Sequence, residues 1–425
     1  MNIAVIGAGI IGVTTAYELA ADGRQVTVFE RRGAVAEETS FANAGVVAAG
    51  AVTPWAAPGM PAKIARHLFS RHSPVRLCLP LTSADIGWMW KWWRACTLET
   101  YLANRARMQR LAFYSRERLH RLTEDLKLEY DHSPGYMVLL RSEQDSKLAR
   151  PGLQVLRDAG VPFREIDAPQ ARLLEPALNP DTQFLGAVHL PNDEVGNCRQ
   201  FALLLKTEAQ RLGARFEFNS AVAPLDPAAP ATLRIATDAA QPRQQRFDAV
   251  VVCGALESAT LLRPVGMRLP LAAVHGYSIS APIREPLNAP RSGLMDERYK
   301  VAIARLGNRV RVAGSAEIGG SLAARRPSAI QTLYKVLHDW FPGAVQISNT
   351  GAGVQEWKGA RPMLPDGPPV LGATGIPGVW INLGHGSSGW ALACGSARVV
   401  ADLMAARAPE VDIEGLGVER LASLQ

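Results

Sequence analysis

The spacing of apolar and polar positions changes period several times along the chain, and the changes predict an α/β protein. Asn2 to Ile6 is a short apolar run of the kind buried in a parallel sheet. Gly7-Ala8-Gly9-Ile10-Ile11-Gly12 follows directly, Val13 to Ala21 has helical spacing, and Gln25 to Phe29 alternates up to Glu30. In such a unit the first glycine makes the tight turn. The second lets backbone N–H groups approach a pyrophosphate, and the third lets helix and strand pack closely. Glu30 is placed to accept hydrogen bonds from a ribose hydroxyl. The combination predicts an adenine dinucleotide without saying which.

Further on, the loop Thr39 to Gly45 offers Ser40 and Asn43 as donors beside such a ligand, and Thr53 to Gly59 is a proline-punctuated loop. Four tryptophans follow. Helical spacing puts Trp88 and Trp92 on one face and Trp90 and Trp93 on another. They fit either core packing or an interface with a membrane or partner. Leu102 to Leu128 predicts a long amphipathic helix. Strands are expected at Tyr136–Leu140, Phe184–Leu190 and Ala214–Val222, with helices at Ala149–Ala159 and Cys198–Leu212. Phe247 to Ala255 is a buried-type strand ending at Gly254, at the carboxyl end where open α/β sheets bind ligands. Alternation at Ala273–Ala281, Val301–Leu306 and Arg309–Ala313 predicts an inserted antiparallel sheet, with a helix near Ile330–Phe341 beside it. Gly351 to Gly372 is expected to be loop-rich. Last, strand Val379–Leu383, the turn Gly384-His385-Gly386-Ser387-Ser388-Gly389 and a helix from Trp390 repeat the opening geometry.

Composition adds bounds. The 425 residues, 48% hydrophobic and 20% charged, suit two domains with a large core. The net charge of +7 is spread along the chain and no nucleic-acid-binding motif accompanies it. Five scattered cysteines lack disulfide or metal-ligand spacing, so neither a disulfide framework nor a metal site is expected. No apolar run is long enough to span a membrane and no signal peptide is expected, which together suggest a cytoplasmic location.

Several stretches resemble the small subunit of FAD-dependent D-amino acid dehydrogenases, within the D-amino acid oxidase and glycine oxidase superfamily. They are Gly7–Gly12, Ser40–Gly45, Pro54–Gly59, the tryptophan segment, Arg361–Gly367 and Gly384–Trp390. The resemblance implies a Rossmann-like FAD-binding domain interrupted by a substrate domain with a mixed, largely antiparallel sheet. Residues 1–60, 190–267 and 352–425 would form the first, and 61–189 and 268–351 the second.

It further implies non-covalent FAD, since Arg31 and Arg32 follow Glu30 where attachment would need a histidine. Gly7, Gly9, Ile11, Gly12, Glu30 and Arg31 would hold the AMP half, with the backbone of Val222 at adenine. Gly254, Ser40, Asn43, Ala44, Gly45 and Val46 would line pyrophosphate or flavin. Gly384, Gly386, Ser387, Ser388 and Gly389 would face the flavin ring.

Arg361 would grip the substrate carboxylate, Tyr277 would offer a second donor and His385 would tune the flavin. The implied reaction takes hydride from the Cα of a D-amino acid to flavin N5, leaving a 2-oxo acid and ammonia after hydrolysis. Electrons would pass to a quinone or other non-oxygen acceptor, with attachment to the inner face of the membrane one reading of the tryptophans. Amine oxidation by O₂, or oxidation of a D-proline-like imino acid, are the alternatives. Asn197 stands where many members carry an acid.

Overall fold

Strand Asn2–Ile6 lies inside a six-stranded sheet, between Ala249–Val252 and Gln25–Phe29. Arg215–Glu217 completes one side, and Val379–Leu383 with the outermost Val370–Ala373 completes the other. All pairs are parallel except that outermost one. The four residues of Ala249–Val252 are all buried, which a parallel strand covered on both faces requires. The computed structural model describes residues 1–67, 73–237, 240–346 and 353–422.

Helices Ile10–Ala21, Cys198–Arg211 and Gly389–Met404 cover one face of this sheet, and the long helix Leu98–Leu126 packs outside them. A single carboxylate ties three of the four together. Glu18, fully buried on the first helix, accepts from Arg118 Nε (2.6 Å) and Nη2 (2.8 Å) on the long helix. Arg398 Nη1, on the last helix, donates to it at 2.8 Å. A buried carboxylate costs several kcal/mol of desolvation unless held in this way, so Glu18 fixes how residues from three distant parts of the chain meet.

The second sheet has ten strands and is largely antiparallel. Its order runs from the edge strand Gln355–Met363 through Ala272–Pro282, Arg309–Gly319, Val301–Leu306 and Gly293–Asp296 to Ser133–Leu140 and Gly186–Val195. Helix Pro327–Trp340 packs an apolar face, including Leu333, Val336 and Leu337, against it. Helix Ser83–Ala95 starts at a Thr82–Asp85 capping box. Its Trp88 and Trp92 stack at 6.5 Å and are buried, whereas Trp90 and Trp93 are 50% and 59% exposed. The two faces read from the spacing are the two faces observed.

Three expectations about elements fail. Gly186–Val195 is one continuous strand of the large sheet, where a strand over Phe184–Leu190 was expected. Gln355–Met363 is a strand inside the segment expected to be loop-rich. Its Gly359, Pro362 and charged side chains hide the alternation, and Pro362 is tolerated because the strand lies at the sheet edge. Both strands therefore belong with the second sheet rather than with the residues assigned to the cofactor domain. The division drawn at 351/352 itself falls outside the described residues. Finally, Ala214–Val222 breaks at Asn219, which has φ +51°, and its halves join different sheets.

Candidate active site

The opening glycine turn is shaped by two kinds of constraint. A side chain on Gly7 (φ +100°) would sit 2.9 Å from the carbonyl oxygen of Cys253, and one on Gly12 would meet the oxygen of Gly7 at 1.8 Å. The protein's own packing thus requires both. Gly9 differs. Its missing side chain would meet nothing closer than Ser40 Oγ at 3.5 Å, so the space in front of it is left open.

Around that space stand the start of helix Ile10–Ala21, which has no capping side chain of its own, and Ser40, whose Oγ accepts from Ile10 N (3.1 Å). Glu30 closes the rim. Its carboxylate accepts from Ala8 N (2.7 Å) and Arg32 N (2.8 Å). Open space, uncapped N–H groups and a fixed carboxylate suit a diphosphate with a ribose beside it.

The other predicted cofactor residues fall around this turn in part. Gly254 lies against it: its Cα is 3.2 Å from where a Gly7 side chain would start. Val222 belongs to a short strand that begins where Ser220 N donates to Glu30 O (2.9 Å). Arg31 is spoken for by Glu38 (2.7 Å) and Glu257 (3.1 Å). Asn43 Oδ1 accepts from Gly45 N (3.0 Å), shaping the loop, and Ala44 beside it is partly exposed. Val46 enters the large sheet opposite Val195. The last turn leaves Gly386, Ser387, Ser388 and Gly389 accessible after Gly384, and helix Gly389–Met404 again starts without a side-chain cap.

Two contacts bring the Ser40–Gly45 loop onto the large sheet. Thr39 Oγ1 donates to Ala360 O (2.6 Å) and Ser278 Oγ to Ala42 O (2.8 Å). Arg361 stands at that junction. Its guanidinium lies over Gly276, where any side chain would come within 2.6 Å of both Nη atoms. Nη1 donates to the carbonyl of Ser315 (3.1 Å), which sits with φ +63° at a bulge in the next strand. Among the described residues no carboxylate pairs with it, and burial pushes its pKa down to about 10. A half-buried cation without a carboxylate partner is suited to receive an anion.

Tyr277 does not join it. Neighbours on a strand point to opposite faces, so the residue after Gly276 turns toward helix Pro327–Trp340. There its hydroxyl donates to Glu317 Oε2 (3.1 Å) and accepts from Arg326 N (2.9 Å). Glu317 also pairs with Arg326 (2.7 Å) and Lys358 (3.0 Å). The expected second donor is thus part of a closed charge cluster on the far side of the sheet.

His385 is buried too. Ser396 Oγ gives its proton to Ala393 O (3.1 Å), so it accepts from His385 Nε2 (3.0 Å). Desolvation holds the imidazole pKa near 3, leaving it neutral. It anchors the last turn to its helix.

Asn197, the departure from the family pattern, caps helix Cys198–Arg211 by accepting from Gln200 N (3.2 Å), a position that Asn and Asp fill equally well. Sequence reasoning missed Gly276, Ser315 and Arg311. The last is a buried guanidinium that donates to Asn43 O (2.9 Å), and desolvation lowers its pKa to about 10. Alternation in Arg309-Val310-Arg311-Val312 was the available signal for Arg311. None existed for the Ser315 bulge.

A family profile described as FAD dependent oxidoreductase matches residues 2–403. The chain belongs to this family. D-amino acid dehydrogenase of Cereibacter sphaeroides is 42% identical over 427 residues, covering 100% of this chain and 96% of that protein. The enzyme of the same name from Bradyrhizobium diazoefficiens is 40% identical, with 99% of each chain covered.

Glycine oxidase from Geobacillus kaustophilus superposes with a TM-score of 0.75 at 20% identity, covering 98% of this chain and 97% of that one. L-proline dehydrogenase from P. horikoshii gives 0.71 at 16% identity, covering 99% and 98%. These structural likenesses establish the fold, and the family match makes the chain an FAD-dependent enzyme. The cradle at Gly9 fits that cofactor.

Proposed function

We propose that the chain oxidises D-amino acids to imino acids, which hydrolyse in water to 2-oxo acids and ammonia. The observation that carries this reading is Arg361, a half-buried guanidinium with no carboxylate partner among the described residues, beside the loop and turn that frame the cofactor space. Two full-length relatives named D-amino acid dehydrogenase, at 42% and 40% identity, support the same substrate class.

When bound, FAD supplies the two-electron acceptor. Gly7, Gly9, Gly12 and Glu30 hold its AMP half, Ser40, Asn43 and Gly45 its middle, and the Gly384–Gly389 turn its ring. Arg361 fixes the carboxylate with paired hydrogen bonds, and with it the direction of the Cα–H bond. Tyr277 and His385 are already bonded within the protein, so neither serves as a base. The amine reacts neutral, giving its proton to water.

The test is anaerobic: D-amino acids should bleach the yellow protein, L-isomers should not, and Arg361→Ala should stop the bleaching. Bleaching by L-isomers alone would sink the proposal. The flavin should also leave with the supernatant when the protein is acid-precipitated, as a non-covalent cofactor must. Electrons go on to a quinone or similar acceptor. Hydrogen peroxide formed at the rate of substrate use would instead make the chain an oxidase.

Among the described residues no helix is long and apolar enough to cross a membrane. Trp90, Trp93 and Ile86 are exposed on a helix that also carries Lys91 and Arg94, a composition suited to an anionic lipid surface. Co-sedimentation with anionic vesicles should be lost in a Trp90→Ser, Trp93→Ser variant. Sedimentation unchanged by the double substitution would remove this surface from the account.

A further inference from the structure

On the face of the large sheet that carries Arg361, two glycines stand directly opposite each other. Gly276 of strand Ala272–Pro282 pairs in register with Gly359 of strand Gln355–Met363. The guanidinium of Arg361 reaches over the first, both Nη atoms 2.6 Å from where a side chain on it would begin. The indole of Trp357 lies flat over the second, with Cη2 only 1.6 Å from where a Gly359 side chain would begin.

Paired strands are about 4.8 Å apart, so a planar cation and a planar apolar ring sit side by side as one floor. Trp357 pairs with Ser278, the residue whose hydroxyl reaches the Ser40–Gly45 loop, which places the indole on the cofactor side. The strand is the sheet's edge, and the indole is partly exposed.

We propose that Trp357 is the specificity-determining residue of this site, receiving the substrate's side chain and favouring apolar and aromatic ones. The inference rests on the reading of Arg361 as the carboxylate clamp. With the carboxylate on the guanidinium, the Cα substituents lie about one strand spacing away, over the indole. An apolar side chain there covers ring surface that is otherwise wet, whereas a charged one loses water without a partner. Because the indole is at the sheet edge, long side chains run outward and are not cut off by size. Gly359 is the position that makes room for the plate.

The experiment compares wild type, Trp357→Ala, Gly359→Ala and Arg361→Ala in two ways. One is kcat/KM for D-phenylalanine, D-leucine, D-alanine and D-aspartate. The other is calorimetric binding of the unreactive pair 3-phenylpropanoate and acetate to the flavin-loaded protein. Trp357→Ala and Gly359→Ala should each lower kcat/KM for D-phenylalanine and D-leucine about tenfold, while D-alanine changes less than about threefold. They should weaken 3-phenylpropanoate and spare acetate.

Arg361→Ala should weaken both carboxylates and all substrates alike. Equal losses across the panel, or none, in the Trp357 variant would overturn the side-chain assignment while leaving the clamp intact. Binding of both carboxylates unchanged by Arg361→Ala would overturn the clamp, and this proposal with it.

Discussion

The two faces of the large sheet at strand Ala272–Pro282 treat charge in opposite ways. On one face Glu317, Lys358, Arg326 and Tyr277 satisfy one another, and Lys358 Nζ also donates to the carbonyls of Ser321 (2.9 Å) and Ala324 (2.6 Å). On the other face, one residue pair away, Arg361 has a single carbonyl and no acid. A closed cluster holds structure together, since every partner is already used. An open cation stores no such stability, and in the function proposed above it is kept for a ligand. The cluster is also the drier of the two, with Glu317 and Lys358 2% and 8% exposed where Arg361 is only half-buried, so partner count and not depth marks the open cation.

Substitutions should separate the faces in the same way. Glu317→Ala strands the buried Lys358 and frees the partly exposed Arg326, and should cost about 3–5 kcal/mol of stability, read from denaturant unfolding. Arg361→Ala should leave the unfolding midpoint level or higher, yet lose about 2–5 kcal/mol in kcat/KM. If instead the Arg361 variant unfolded early and the Glu317 variant stayed firm, the contrast would be wrong.

Acid should act through His385. With its pKa lowered to about 3, the folded protein stays unprotonated there while the unfolded chain takes up a proton below about 6.5. Stability from this residue is therefore complete above pH 6.5 and falls by about 1.4 kcal/mol per unit as pH drops toward 3. A His385→Gln variant should show a shallower acid limb in thermal melts.

Tyr277→Phe is the smallest change and the most direct check on which way that residue points. It should lose about 1–3 kcal/mol of stability, for the two hydrogen bonds its hydroxyl makes, and keep kcat/KM within twofold. A tenfold loss of kcat/KM would return Tyr277 to the substrate side.

The opening unit was legible because everything that defines it lies within thirty adjacent residues, and the glycine turn's geometry is local. Arg361 was legible from its motif. The face of Tyr277 was not, because it depends on the register among Gln355–Met363, Ala272–Pro282 and Arg309–Gly319 and on the bulge at Ser315. Strands so far apart in sequence carry no mark of which residues will stand opposite. The antiparallel pair Thr232–Thr237 and Ala240–Arg246 escaped notice for another reason: its second strand is almost wholly polar and so has no apolar alternation to read.

The central position of strand Asn2–Ile6 has a consequence in time. This strand is made long before its partner Ala249–Val252, which leaves the ribosome some 240 residues later, and Arg398, which helps hold Glu18, follows later still. At 5–20 residues per second, that first delay is on the order of ten to fifty seconds. Throughout it the nascent chain carries an apolar strand with one bare edge, and Glu18 has at most one of the two arginines that hold it in the folded protein. The parts of the cofactor cradle are thus made far apart in time, and the growing chain must be shielded from its neighbours over that interval.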